Sequence, residues 1–206
     1  SQSTSVDTLL NTSRPNILII IAESLGGTFV GAMGNHDNIT TNFDALTKEG
    51  VFFTDFYANS YRTERGVLSI LSGYPAFPKA SVMKLPAASR NLPSIGLSLR
   101  RNGYVNNFLY GGDINFTNMQ SYLRSTGYSN VIGDTKFTPA QRLTHGWGVT
   151  DSITFNYLYD MLRKSPVKPG SWQTTFLTPA SQEPWVVSYE ISKNDKRANA
   201  MAYLDD

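Results

Sequence analysis

Cysteine is absent from the 206 residues, which excludes disulfides, thiolate metal sites and a cysteine nucleophile. Histidine is scarce, with only His36 and His145. Both read as surface or loop residues, so a histidine-rich metal centre is not expected. Charge of either sign is sparse too: 18 Lys and Arg against 16 Asp and Glu leave a formal net charge of +2, with no basic cluster. Nucleic acid is therefore not an expected partner. The longest apolar run, residues 17–22, is far too short to cross a bilayer, and no signal peptide is visible.

What is present suits one globular domain with a sizeable core. Hydrophobic residues make up 40% of the chain, and 11 Tyr and 11 Phe add packing mass or a sugar-friendly surface. The polar leader Ser1-Gln2-Ser3-Thr4-Ser5 reads as linker, with residues 1–13 outside the domain and 14–206 inside it. The β-branched run from Asn16 to Ala22 predicts a strand buried on both faces, as in a parallel sheet. Helix and strand signals then alternate. A helix is expected from an N-cap at Thr41-Asn42 to a closing Gly50, then a strand over 51–57. A helix follows with Val67, Leu68, Ile70 and Leu71 at helical spacing, stopped by Gly73-Tyr74-Pro75. The stretch 77–91 reads as a surface loop. Helices over 93–101, 116–125, 151–164 and from 194 onward are interleaved with strands at 104–110, 128–132 and 172–178. This alternation predicts a three-layer α/β/α sandwich around a mostly parallel sheet.

Two residues stand where such a fold places chemistry. Glu23 follows the first buried strand, and ligands of open α/β sheets gather outside the carboxyl ends of strands. By position alone it reads first as an N-cap or loop acid, with metal ligation as the lesser alternative. Thr63, between Arg62 and Glu64-Arg65, opens a helix whose free N–H groups and dipole would stabilise an oxyanion. By itself it reads first as an ordinary N-cap.

Context shifts both readings. The stretch from Arg14 through Glu23-Ser24 resembles the opening strand of the alkaline phosphatase superfamily, in its sulfatase and lipoteichoic acid synthase branch. Thr41-Asn42-Phe43-Asp44-Ala45-Leu46 through Gly50-Val51-Phe52-Phe53 is similar to a second segment of that family. Tyr57-Ala58-Asn59-Ser60 leads into the nucleophile position. The likeness continues through Leu99 to Tyr104, Tyr110-Gly111-Gly112-Asp113, Trp147-Gly148-Val149-Thr150-Asp151 and Ser181-Gln182-Glu183-Pro184-Trp185. Sulfatases carry a cysteine or serine at the nucleophile position, whereas Thr63 matches the synthases.

The resemblance implies an alkaline-phosphatase-like fold with its C-terminal part missing from this chain. It implies Thr63 as covalent nucleophile, and Glu23 with Thr63 as ligands of a divalent ion (Mn2+, Mg2+ or Zn2+). Arg62, Arg65, Asp113, Asn115, Trp147 and Gln182 would bind substrate. The implied activity is transfer of a phosphoglycerol or phosphoethanolamine group onto envelope lipids or glycans, outside the cytoplasm, by a parent anchored through segments beyond this chain. The alternatives are a sulfuric ester hydrolase and a non-catalytic domain binding a glycan or lipid head group.

The chain departs from the pattern in three places. Thr117 and Met119 occupy the positions of a Trp and an Arg that serve anion recognition in the synthases. Gln182 stands where a histidine is usual, and an amide donates a hydrogen bond but no proton. No Asp-His pair supplies the remaining metal ligands, and Glu23 with Thr63 is a small set for a tight divalent site. A truncated parent, or loss of activity, is therefore expected of the chain by itself.

Overall fold

Asn16 sets the sheet. Its side-chain oxygen accepts hydrogen bonds from the Ser171 and Trp172 amides, at 2.9 and 3.2 Å, and so aligns the first strand with the last. The structure, a computed structural model, describes residues 9–142, 148–179 and 181–206. Four strands, β1 (Ile17–Ile21), β2 (Val105–Tyr110), β3 (Asn130–Ile132) and β4 (Trp172–Leu177), form one sheet in the order β1-β4-β2-β3. Every pairing is parallel, and Ile21, Leu177 and Tyr110 stand side by side at the carboxyl ends. The connections carry the helices α1 (Thr41–Leu46), α2 (Thr63–Ser72), α3 (Pro86–Ser89), α4 (Ile95–Arg101), α5 (Met119–Ser125), α6 (Pro139–Arg142) and α7 (Asp151–Arg163). A last helix, α8 (Lys196–Asp205), follows β4.

Strand alternation sends Phe108, Tyr110 and Leu177 to one face, against Val67, Leu68 and Leu71 of α2 and Met119, Tyr122 and Leu123 of α5. Leu109 and Phe176 go to the other face, against Leu158 of α7, Phe137 and Val149. Helices thus cover both faces, as expected of the α/β class. A third cluster joins Met201, Ala198 and Ala202 of α8 to Ile39, with Leu25 and Phe29 from the segment after β1 packed on it. The Asp205 carboxylate accepts from the Asn42 and Phe43 amides, both at 2.8 Å, and so caps α1 from α8.

Several local expectations change. β1 is an edge strand, paired only with β4 among the described residues, and Leu18 and Ile20 are 41% and 47% exposed. Both-face burial fails there because the helices lie over β2 and β4. Residues 51–57 form no strand. Phe53 is 71% exposed, and no strand edge is aligned with this segment to take its backbone groups. α1 ends at Leu46 rather than at Gly50. The expected loop at 77–91 contains a short turn of 3-10 helix at Val82–Lys84 and α3, because Met83 is drawn wholly into the core. No helix among the described residues is long and apolar enough to cross a membrane.

Candidate active site

The carboxyl ends of β1 and β4 are stitched together. The Glu23 amide donates to Thr178 Oγ1 at 3.0 Å, and Ser181 Oγ donates to the Glu23 carbonyl. Ser24 next to it takes a left-handed conformation (φ 58°) that turns the chain sharply out of the strand. Thr63 arrives from the other side as the first residue of α2, after Arg62 in extended conformation. The buried stripe Val67, Leu68 and Leu71 clamps α2 to the sheet, and left-handed Gly73 closes it. The N-terminus of α2 is therefore held at the strand ends.

There the groups meet. Thr63 Oγ1 donates to Glu23 Oε1 and accepts from Gln182 Nε2 at 3.2 Å. Burial pushes the Glu23 carboxyl up to about 7. The hydrogen bonds from Thr63 and Gln182 work against that rise, and the nearby Glu64 adds to it. The second oxygen, Oε2, is shut off from solvent and has no hydrogen-bond partner among the described residues. Tyr110, at the end of β2, is held well above the usual phenol range, first by burial and then by Glu23 and three aspartates. It stays protonated.

Two cavities share Glu23, Ser24, Tyr61, Arg62 and Thr63. One, of about 320 Å³, has an apolar wall that includes Ile21, Leu25, Val67, Ile70 and Leu177. The other, of about 330 Å³, adds Gln182, Glu183, Trp185, Phe116, Glu64 and Arg197.

The fold thus brings Glu23, Arg62, Thr63 and Gln182 to one place, across the full span of the chain. Arg65 lines neither cavity, and its Nε is buried without a hydrogen-bond partner among the described residues. Asp113 and Asn115 form a local turn in which the Asn115 amide donates to Asp113 Oδ1 at 2.8 Å, and neither lines these cavities. Phe116, just beyond them, does. Trp147 and His145 lie outside the described residues, and His36 is exposed in a loop. Sequence reasoning singled out neither Phe116 nor Arg197. In sequence Arg197 is an ordinary charged residue at a helix start, and nothing near it signals a site.

A divalent ion fits these donors in part. A buried carboxylate oxygen without a partner among the described residues, beside a threonine oxygen, is hard-oxygen chemistry suited to Mg2+, Mn2+ or Zn2+. Among the described residues, no group of three or more Asp, Glu, His or Cys gathers to complete a ligand set.

The parallel sheet with helices on both faces has the fold of the alkaline phosphatase superfamily. The chain belongs to the sulfatase family, whose model matches residues 15–206. Mouse arylsulfatase G is 33% identical over 100 residues, covering 45% of this chain and 18% of the mouse protein. Bovine arylsulfatase A is 47% identical over 45 residues, 22% of this chain and 9% of that protein. An alkaline phosphatase superfamily protein from Vibrio parahaemolyticus superposes with a TM-score of 0.81 at 31% identity, over 93% of this chain and 48% of that one. The lipoteichoic acid synthase LtaP from Listeria monocytogenes has the same TM-score at 17% identity, over 93% of this chain and 49% of that one, and shows the shared fold. The chain thus spans about half of these solved structures and less than a fifth of these arylsulfatases.

Proposed function

We propose that residues 14–206 carry the nucleophile of a metal-dependent enzyme acting on phosphate or sulfate esters, with Thr63 as the attacking group. Residues 1–13 would then be linker. The observation that carries this is the Thr63 hydroxyl, shared by Glu23 and Gln182 at the first turn of α2. Glu23 Oε1 accepts the hydroxyl proton and turns a lone pair of the oxygen toward the cavities. The Gln182 amide donates to the same oxygen and supports the negative charge that grows on it. Arg62 neutralises oxygens of the incoming group, and the positive dipole end of α2 adds to that field. Thr63 Oγ forms a bond to phosphorus or sulfur while the ester oxygen leaves. An acceptor hydroxyl or water then takes the group and restores the threonine. A divalent ion held by Glu23 and Thr63, with ligands beyond this pair, would supply Lewis acidity and lower the hydroxyl pKa.

Threonine at this position supports phosphoryl transfer over sulfate hydrolysis. Several solved proteins of the same fold bear transferase names, among them a phosphoglycerol transferase from Streptococcus pyogenes and a lipooligosaccharide phosphoethanolamine transferase from Neisseria meningitidis. One such neighbour is a periplasmic domain solved with Zn. The finer reading is therefore a phosphoglycerol or phosphoethanolamine transferase working on envelope lipids or glycans, outside the cytoplasm and anchored through its parent. Sulfatase activity is the alternative, favoured by the arylsulfatase identities. The amide at Gln182 favours a third reading, a domain that binds a head group without turnover.

Mass spectrometry of the full-length protein after brief reaction decides among them. The expected product is a phosphoryl adduct on Thr63, phosphothreonine or its glycerol or ethanolamine ester according to the group transferred, absent from Thr63→Ala, whose turnover falls at least about a thousandfold. Turnover that survives Thr63→Ala would sink the nucleophile assignment. Binding without any adduct or turnover would point to the non-catalytic reading.

A further inference from the structure

We infer that Arg197 recognises a second negative charge on the substrate, carried by the part that is not transferred. The inference rests on the reading of Thr63 as nucleophile. It deepens that reading by fixing the substrate class as an ester with an additional oxyanion, whether carboxylate, phosphate or sulfate.

The cavity of about 330 Å³ beside Thr63 is in the range that holds a small organic molecule, more than a single tetrahedral group requires. Among its lining residues that are described, Glu23, Glu64 and Glu183 are acidic, and only Arg62 and Arg197 are basic. Glu64 is engaged by Lys84 at 3.9 Å. Arg62 immediately precedes the nucleophile and serves the group under attack. Arg197 comes from the start of α8, and its guanidinium lies 5.0 Å over the Phe29 ring centroid. Phe29 is itself packed on the cluster formed by α8 and Ile39. The ring positions the charge while leaving its N–H fork free, since no carboxylate pairs with Arg197 among the described residues.

The turn after β2 supplies no cation to this cavity. Met119 is wholly buried, and the side chains of Thr117 and Asn118 are bonded to Phe116 O and Met83 O. What that turn contributes is Phe116, which lines the cavity together with Trp185. Aromatic surface and a guanidinium therefore border one space, as suits a ring or carbon skeleton bearing an oxyanion.

Backbone strain gathers at the same place. Five described non-glycine residues have positive φ. Ser24 and Trp185 line the cavity, and Thr117 and Asn118 directly follow Phe116. A β-branched threonine at φ 56° is costly, and such conformations concentrate where a fold positions side chains for a ligand.

The test uses two probes, phenyl phosphate and 2-carboxyphenyl phosphate, titrated calorimetrically into full-length Thr63→Ala protein with and without Arg197→Gln. The carboxylated probe is expected to bind about tenfold tighter or more when Arg197 is present. Arg197→Gln should erase that difference while leaving phenyl phosphate within about twofold, and Arg197→Lys should restore part of it. Equal binding of the two probes with Arg197 present would overturn the inference. So would a preference that survives Arg197→Gln. Turnover of the same probes by proteins with and without Thr63→Ala reads the nucleophile assignment separately, so either can fall while the other stands.

Discussion

Glu23 is the residue on which the site's electrostatics turn. Its carboxyl moves from an ordinary value of 4.5 to about 7 because the fold takes it out of water faster than Thr63 and Gln182 can compensate. The folded state therefore binds a proton that the unfolded state releases, and stability falls as pH rises. The effect begins near 4.5 and is complete just above 7. Without metal, the penalty reaches at most about 3 kcal/mol at pH 8. In chelator, the urea midpoint should drop between pH 5 and 8, and Glu23→Gln should flatten that slope and raise the midpoint at the alkaline end. An unchanged slope in Glu23→Gln would place the titrating group elsewhere. Thr63→Ala and Arg197→Gln act at this same scale, on turnover and on charge preference respectively.

At the scale of elements, α4 depends on a close backbone approach. A Cβ on Gly96 would lie 2.6 Å from the Thr126 carbonyl and 2.9 Å from the Tyr128 ring. Gly127, with φ 103°, faces it, and Asn106 Nδ2 donates to the carbonyls of both glycines at 2.8 Å. Gly96→Ala gains helix propensity but must push α4 away from the turn before β3. A net loss of about 1–3 kcal/mol is expected, measured by chemical denaturation. Gly66→Ala in α2 meets nothing within 4 Å and should be neutral or stabilising.

Over the whole molecule, α8 ties the end of the described chain back to the segments after β1. The Asp205 carboxylate caps α1 across 162 or more residues, and the cluster around Met201 seats Phe29 beneath Arg197. Asp205→Ala should cost about 1–2 kcal/mol, as loss of a charged cap does. Because the same packing positions Arg197, it should also weaken discrimination between the two phosphate probes, while Asp205→Asn retains more of both. A melt unchanged by Asp205→Ala would show that α1 is held by its other contacts alone.

The sequence by itself determined the sheet's character and most of its partners. The β-branched run at 17–21, the periodic Val67, Leu68 and Leu71, and the glycine stop at 73 are local signals, and the strand and helix they predict are present. The places of Glu23 and Thr63, at a strand end and a helix start, were legible in short-range pattern, whereas a chemical role for them came only from the family resemblance. The exposure of Leu18 and Ile20, the unpaired stretch at 51–57 and the buried Met83 were not. Each depends on which strand lies at the edge and where the helices cover it. Gln182 was named through the family resemblance, but only the tertiary structure brought it, Trp185, Phe116 and Arg197 to Thr63, since these residues lie far from it in the chain. The physical reason is one and the same: propensity and periodicity act over a few residues, whereas burial, charge and cavity shape are set by whatever the rest of the chain packs beside them.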